Sequence, residues 1–189
     1  PGADSVRSMS TTVNLIGTGK VGRTILRLLA GSRQFKVQSV VSRRDESARE
    51  AVRDTGVGIA CAIEDMTPAD IWLLTVPDAQ IRGVSEQIAA LSQGPSLALH
   101  CSGYHRADVM WPLGVAGWRL ASAHPMLSFA DPGVAARRFQ GTPVGLEGDA
   151  EALPEAERLF AAMGARCFRI SSDGKALYHA AAVITNNFT

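Results

Sequence analysis

The chain has 189 residues, of which 46% are hydrophobic and 20% are charged, a composition typical of one globular domain rather than of a disordered or fibrous chain. Its 19 basic and 18 acidic residues leave a formal net charge of +1. This balance argues against a nucleic-acid partner, because proteins of that class rely on a strong positive field.

The cellular location is predicted from three features of the sequence. No apolar run approaches the ~18 residues of a membrane span, and the N-terminus lacks a signal-peptide core, so we expect a soluble protein without a membrane partner. Three cysteines without a C-x-x-C pair indicate a reducing compartment. We therefore predict a cytoplasmic protein.

From Val13 onward, short β-like runs alternate with helical periods, which is typical of an α/β fold with a doubly wound, mostly parallel sheet of the Rossmann type. The predicted strands are residues 13–16, 35–41, 71–76, 97–101, 119–123, 143–146 and 166–170. We predict a tail over residues 1–11, a dinucleotide-binding domain over 12–172 and, over 173–189, the first helix of a mostly missing helical domain.

A glycine-rich turn follows the first predicted strand and opens a predicted helix. Its sequence is Gly17-Thr18-Gly19-Lys20-Val21-Gly22. In a β-α-β unit, Gly17 permits the tight turn, Gly19 lets the backbone approach a pyrophosphate, and Gly22 lets helix and strand pack closely. The turn predicts a dinucleotide site.

The end of the second strand indicates which dinucleotide binds. An NAD-preferring protein places an acidic residue there, on the ribose 2′-hydroxyl, whereas this chain has Ser42, Arg43 and Arg44. Two guanidinium groups and a hydroxyl suit a 2′-phosphate, so NADP is the predicted cofactor. Asp45 keeps NAD open if the strand ends later, and a solvated surface pair is the other alternative.

Later strand ends supply further candidates at the same edge of the sheet. Residues Thr75, Val76 and Pro77 should pass close to the cofactor, and Ser102 and Gly103 should line its nicotinamide end. His124 can reach this cleft or can be a structural histidine. We predict no metal site, because His100 and Cys101 are adjacent on a strand and point to opposite faces.

The last predicted helix, from about residue 174, has two different faces. Leu177, Ala181, Ile184 and Phe188 form an apolar stripe, and Lys175, His179 and Asn186 lie on another face. The stripe predicts packing against another helix, from a second subunit or from chain beyond residue 189. We expect a homodimer formed through the C-terminal helices.

Five motifs together resemble one family. It is the Rossmann-like oxidoreductases with a helical C-terminal domain of unknown function, relatives of pyrroline-5-carboxylate reductase, β-hydroxyacid dehydrogenases and deazaflavin-dependent NADP reductases. The motifs are Gly17-Thr-Gly-Lys-Val-Gly22, Thr75-Val-Pro-Asp78, His100-Cys-Ser-Gly103, His124-Pro-Met-Leu-Ser-Phe129 and Lys175-Ala-Leu-Tyr-His-Ala-Ala-Ala182. The resemblance implies an NADP-binding domain, a helical dimerisation domain and an oxidoreductase activity of undefined substrate.

The resemblance also suggests catalytic residues. β-Hydroxyacid dehydrogenases carry a general-acid lysine at this helix start, which Lys175 matches, and an asparagine four residues later, where this chain has His179. Lys175, His179 and His124 are the predicted catalytic residues of an NADP-dependent oxidoreductase that transfers hydride between nicotinamide and a small carbonyl or imine. The alternative is a module that senses NADP(H) without turnover.

Overall fold

A computed structural model describes residues 10–175 and 177–180 of the chain. The strands are Thr11–Ile16 (β1), Phe35–Val41 (β2), Ile59–Ala60 (β3), Ile71–Leu74 (β4), Leu97–His100 (β5), Arg119–Pro125 (β6), Pro143–Gly148 (β7) and Arg166–Arg169 (β8). The α-helices are Lys20–Leu29 (α1), Asp45–Thr55 (α2), Ile81–Ala90 (α3), Trp111–Val115 (α4), Pro132–Arg138 (α5) and Leu153–Ala162 (α6). Helical backbone returns at Lys175 and residues 177–180, a stretch we call the terminal helical segment.

The strands form one sheet in the order β3-β2-β1-β4-β5-β6-β7-β8. Neighbouring strands are parallel from β3 to β6, whereas β7 runs antiparallel to β6 and β8 runs parallel to β7. The chain leaves β1 toward β2 on one side and places β4 on the other. This reversal opens a crevice at the carboxyl ends of β1 and β4, where doubly wound folds bind ligands.

Both faces of the sheet are covered, so the central strands are buried on both sides. On β4, Ile71 and Leu73 join the core beneath α1, α2 and α6, whereas Trp72 and Leu74 join the core beneath α3 and α4. This alternation follows from the two-residue period of a strand. The predicted mostly parallel Rossmann-type sheet is confirmed.

Several boundaries differ from the sequence predictions. The tail was predicted through residue 11, but β1 begins at Thr11, whose N–H donates to the carbonyl of Gln34. Strand β4 ends at Leu74 rather than at residue 76. The short elements β3, α4 and α5 were not predicted. At the start of α5, the Asp131 side chain caps the helix by accepting from the N–H of Val134, and Pro132 follows as the first helical residue.

One prediction falls largely beyond this structure. Most of the second domain predicted over 173–189, including Ala181, Ile184, Asn186 and Phe188, lies outside the described residues. Among the described helices, none combines the length and apolar character that a membrane crossing requires.

Candidate functional site

The glycine turn between β1 and α1 has the geometry that a pyrophosphate site requires. Gly17 has a φ of +106°, and a Cβ atom there would lie 2.7 Å from the backbone carbon of Thr75. A Cβ on Gly22 would overlap the carbonyl oxygen of Gly17, whereas one on Gly19 would meet no atom within 4 Å. The first and third glycines therefore let the backbone pack closely, and the second leaves open space beside the helix N-terminus.

Two side chains hold this turn in place. The Thr75 hydroxyl donates to the carbonyl of Gly17 at 2.6 Å, which ties the turn to the end of β4. Arg23 donates from Nε to the carbonyl of Thr18 at 3.1 Å, and its guanidinium also pairs with two acidic side chains of α2, each at 3.0 Å. Thr75 was predicted to lie close to the cofactor, and its hydroxyl contacts the glycine turn that would bind the cofactor.

A cavity of about 570 Å³ lies over the turn and brings most of the predicted cofactor residues together. The predicted residues along its wall are Gly17, Thr18, Gly19, Lys20, Val21, Ser42, Arg43, Arg44, Thr75, Val76 and Pro77. Three residues that were not predicted, Ser47, Gln80 and Phe129, also line it. Phe129 belongs to the His124-Pro125 motif, so its place after a strand end was the available signal.

A second cavity, of about 550 Å³, continues from the end of β2 toward α3. Its wall includes Val41, Ile63 and Val84, together with Ser42 and Arg43. The apolar side chains come from three separate elements, so no local motif announces them. The cavity provides an apolar slot beside the basic strand end, a combination suited to the adenosine half of a dinucleotide.

The basic residues at the end of β2 are available to an anion. Arg43 and Arg44 are exposed, and within residues 10–175 and 177–180 neither forms an ion pair. Asp45, the residue that kept NAD open, lies 3.8 Å from Arg49 along α2. Such an exposed pair is weak, so the preference for a 2′-phosphate rests on Arg43 and Arg44.

The site fits NADP on three observations of its own residues. The Thr18 hydroxyl is buried and has no hydrogen-bond partner among the described residues, as expected of a group that faces a ligand. Gly19 leaves room for a pyrophosphate beside the N-terminus of α1. Arg43 and Arg44 supply positive charge where the third phosphate would lie.

A second cluster forms where β5, β6 and the terminal helical segment meet. The rings of His124 and His179 have centroids 5.9 Å apart. A Cβ on Gly103 would lie 2.6 Å from Nδ1 of His179 and 2.7 Å from Nε2 of His124. The structure therefore brings together three predicted site residues, and only a glycine fits between the two rings.

The two histidines of this cluster differ in their surroundings. Burial, then the charges of His179 and Lys175, lower the pKa of His124 to about 4, so its imidazole is neutral at pH 7. Nδ1 of His179 is buried and has no hydrogen-bond partner among the described residues. An unpaired buried nitrogen is costly, so a polar atom bound beside Nδ1 of His179 would remove that cost.

Ser102 and His100 have structural partners instead of facing the cavity. The Ser102 hydroxyl donates to Oδ2 of Asp78 at 2.8 Å and accepts from two N–H groups of the following turn. Its own N–H donates to Nδ1 of His100 at 3.1 Å, so Nε2 carries the proton and donates to the carbonyl of Arg106 at 3.0 Å. Ser102 holds the turn that presents Gly103, rather than offering a free hydroxyl.

Lys175 lies away from both cavities of the dinucleotide site. Its Nζ is 3.3 Å from Oε2 of Glu147 and donates to the hydroxyl of Ser122, and the lysine side chain is 1% exposed. Ser172 completes the network by donating to the other oxygen of Glu147 at 2.8 Å. Lys175 and His179 were expected to share one polar face toward the nicotinamide, but Lys175 points to Glu147 while His179 points to Gly103.

Comparisons with known proteins agree with this geometry. Residues 12–97 match the family model described as NADP oxidoreductase, coenzyme F420-dependent, and residues 142–189 match a domain of unknown function, DUF2520. No curated protein sequence matches the chain. The match over residues 12–97 confirms NADP as the predicted cofactor.

Solved structures share the fold. Protein TM1727 from Thermotoga maritima is 30% identical, with a TM-score of 0.75 over 93% of this chain and 64% of its own. A 3-hydroxyisobutyrate dehydrogenase from Mycobacterium tuberculosis is 19% identical, with a TM-score of 0.75 over 94% of this chain and 60% of its own. An imine reductase from Aspergillus terreus, solved with NADPH4 and dibenz[c,e]azepine, is 14% identical, with a TM-score of 0.70 over 94% of this chain and 62% of its own.

This chain therefore spans less than two thirds of each of these three structures. The two family models follow one another along it, in the order that the motifs predicted. Over these two segments the chain is similar to the Rossmann-like NADP oxidoreductases that carry a C-terminal domain of unknown function.

Proposed function

We propose that this chain is the cofactor-binding part of an NADP-dependent oxidoreductase that transfers hydride between nicotinamide and a small carbonyl or imine. The observation that carries the proposal is the position of two features at one edge of the sheet. The glycine turn follows β1, and the pair of His124 and His179 lies where β5 and β6 end. Parallel strands bring their carboxyl ends to the same edge, so a dinucleotide on the turn and a substrate at the histidines would be neighbours.

The chain's own residues would bind and orient the cofactor. Gly19 and the N-terminus of α1 would receive the pyrophosphate, Thr18 would donate its free hydroxyl to it, and Arg43 with Arg44 would bind the 2′-phosphate. Bound NADP supplies or accepts the hydride. The protein supplies position, exclusion of water and a path for the proton.

His179 is the best-placed group for that proton. Hydride addition to a carbonyl or imine leaves an oxygen or nitrogen that must take up a proton, and a histidine can provide it. Nδ1 of His179 is buried beside Gly103 without a partner in the described part of the chain. Lys175, whose Nζ is engaged by Glu147 and Ser122, would act as a positioning residue that fixes the start of the helix carrying His179.

The test is NADPH oxidation by the full-length protein with a panel of small aldehydes, ketones and cyclic imines. We expect turnover with at least one of them, and a loss of about 10²–10⁴ in kcat for His179→Ala, the size of a lost general acid, with NADPH affinity unchanged. His105→Ala removes a neighbouring histidine outside the cluster and serves as the matched control.

Two outcomes would overturn the proposal in different ways. If His179→Ala and His105→Ala have equal kcat values, the proton comes from elsewhere, and Lys175→Met is the variant to measure next. If no compound on the panel oxidises NADPH while the nucleotide still binds, the chain is better described as a module that senses NADP(H) without turnover.

A further inference from the structure

Tyr178, which is not among the predicted site residues, contacts His124 twice. Its hydroxyl oxygen lies 3.2 Å from Nδ1 of His124 and 3.2 Å from the carbonyl oxygen of the same residue. The two rings meet edge to face, with centroids 5.6 Å apart. The hydroxyl of Tyr178 therefore contacts both the backbone and the ring of a predicted site residue.

A glycine on the neighbouring strand makes this contact possible. Gly145 of β7 lies directly opposite His124 of β6 in the antiparallel register. A Cβ on Gly145 would lie 2.8 Å from Cζ and 2.9 Å from the hydroxyl oxygen of Tyr178. The tyrosine ring thus occupies the space that any side chain at position 145 would fill.

The number of protons available to this contact determines which tautomer of the His124 imidazole is present. The phenol has one proton to donate, and His124 is neutral, so its ring carries one N–H. If Tyr178 donates to the carbonyl of His124 and Nδ1–H donates to the phenol oxygen, both contacts are hydrogen bonds. If Tyr178 donates to Nδ1 instead, the carbonyl contact has no proton. The first arrangement satisfies more groups and is favoured for partly buried polar atoms.

We propose that Tyr178 is a positioning residue that holds His124 in the Nδ1–H tautomer, so that Nε2 presents a lone pair on the side of Gly103. An acceptor at this place selects the chemistry of its ligand. It binds an N–H or O–H group, as in an iminium ion, an amine or an alcohol, and it does not stabilise a bare carbonyl oxygen. This inference rests on the proposed function for its substrate, but the tautomer itself can be measured without turnover.

The experiment is nitrogen NMR of the histidine side chains in the protein, with the His124 signals identified by their loss in His124→Gln. We expect the wild-type ring to carry its proton on Nδ1, and Tyr178→Phe to shift the population toward Nε2–H. Tyr104→Phe removes the other tyrosine hydroxyl of the chain and is the matched control. Tyr104 is 62% exposed, and no hydrogen bond from its hydroxyl occurs in the described structure, so the His124 tautomer should not change.

A second variant tests the same contact while keeping the Tyr178 hydroxyl. Gly145→Ala should displace the Tyr178 ring and change the His124 tautomer as Tyr178→Phe does. With an imine substrate, both variants should lower kcat/KM at least tenfold and leave the NADPH Kd within twofold. An Nε2–H tautomer in the wild type, or a tautomer unaffected by Tyr178→Phe, would overturn the inference. Absence of turnover with a normal tautomer result would count only against the proposed function.

Discussion

Lys175 and Glu147 form an ion pair that joins the terminal helical segment to the sheet, with the two side chains 1% and 4% exposed. Burial raises the pKa of the Glu147 carboxyl, but hydrogen bonds from Ser172, Ala107 and Ser122 and the charge of Lys175 outweigh it and hold the pKa below its ordinary value. Burial lowers the pKa of Lys175, and Glu147 opposes that change. Each charge is tolerated in the interior because the other is present.

The ion pair predicts an asymmetric double-mutant cycle. Lys175→Met should lower the free energy of unfolding by about 3–5 kcal/mol, because it leaves Glu147 buried without its counter-ion. The double variant Lys175→Met/Glu147→Gln should recover a substantial part of that loss. Urea unfolding followed by circular dichroism measures both. Equal losses in the single and double variants would contradict the counter-ion argument.

His100 predicts a loss of stability in mild acid. Burial, followed by the charge of Lys175, lowers its pKa from 6.5 to about 4. Between these two pH values the unfolded chain binds the proton and the folded chain does not. The contribution of His100 to the free energy of unfolding is therefore fully present above pH 6.5 and is lost as the pH falls toward 4. The loss from this group is about 3 kcal/mol.

Urea unfolding at several pH values between 7 and 4.5 tests this prediction. His100→Gln, although less stable at pH 7, should show a weaker decline with falling pH than the wild type. A decline in His100→Gln as steep as that of the wild type would place the sensitivity in other groups.

The basic pair at the end of β2 predicts cofactor preference. NADPH should bind more tightly than NADH, and Arg43→Ala/Arg44→Ala should weaken NADPH at least tenfold while leaving NADH nearly unchanged. Arg33→Ala, an exposed arginine just before the opposite end of the same strand, is the matched control. Fluorescence titration with both nucleotides measures the effect, and equal affinities in the wild type would return the choice to Asp45.

The glycine turn predicts loss of binding without loss of fold. A side chain at position 19 meets no protein atom within 4 Å, so Gly19→Val should keep the circular dichroism spectrum and lose NADPH. Gly31, which is equally open but remote from the cavity, gives the control Gly31→Val. If Gly19→Val still binds NADPH, the turn is only a connection between β1 and α1.

Leu177 predicts an interface. It is 78% exposed, and it begins the predicted apolar stripe whose other members lie outside the described residues. The full-length protein should be a dimer, and Leu177→Glu should shift it toward monomer in light scattering, because a charge would be buried between helices. Lys36→Glu, an exposed position on β2, is the control. A wild-type monomer would contradict the prediction.

The sequence was most informative where function depends on neighbouring residues. The turn from Gly17 to Gly22 and the basic pair after β2 are local, and their signals survive without knowledge of the fold. Short elements such as β3 and α4 were missed because two to five residues carry no measurable period.

The long-range contacts could not be predicted in the same way. Tyr178 meets His124 across 54 residues of chain, and the contact depends on the antiparallel register that places Gly145 opposite the histidine. Lys175 was assigned to the correct helix, but Glu147 carries no local sign that it is buried. Only the folded sheet shows that this lysine has an acidic partner.

The reversed direction of β7 and β8 has a mechanical consequence. Strand β8 runs away from the cofactor edge of the sheet. The terminal helical segment therefore runs back toward that edge, from Glu147 to His124. Lys175 and His179 are about one turn apart, which makes the buried ion pair the reference point for the angle of the histidine. One residue added between Lys175 and His179 would turn the imidazole by about 100° away from Gly103. The ion pair of Lys175 with Glu147 thus sets the rotation of the helix, and that rotation determines which side chain faces Gly103.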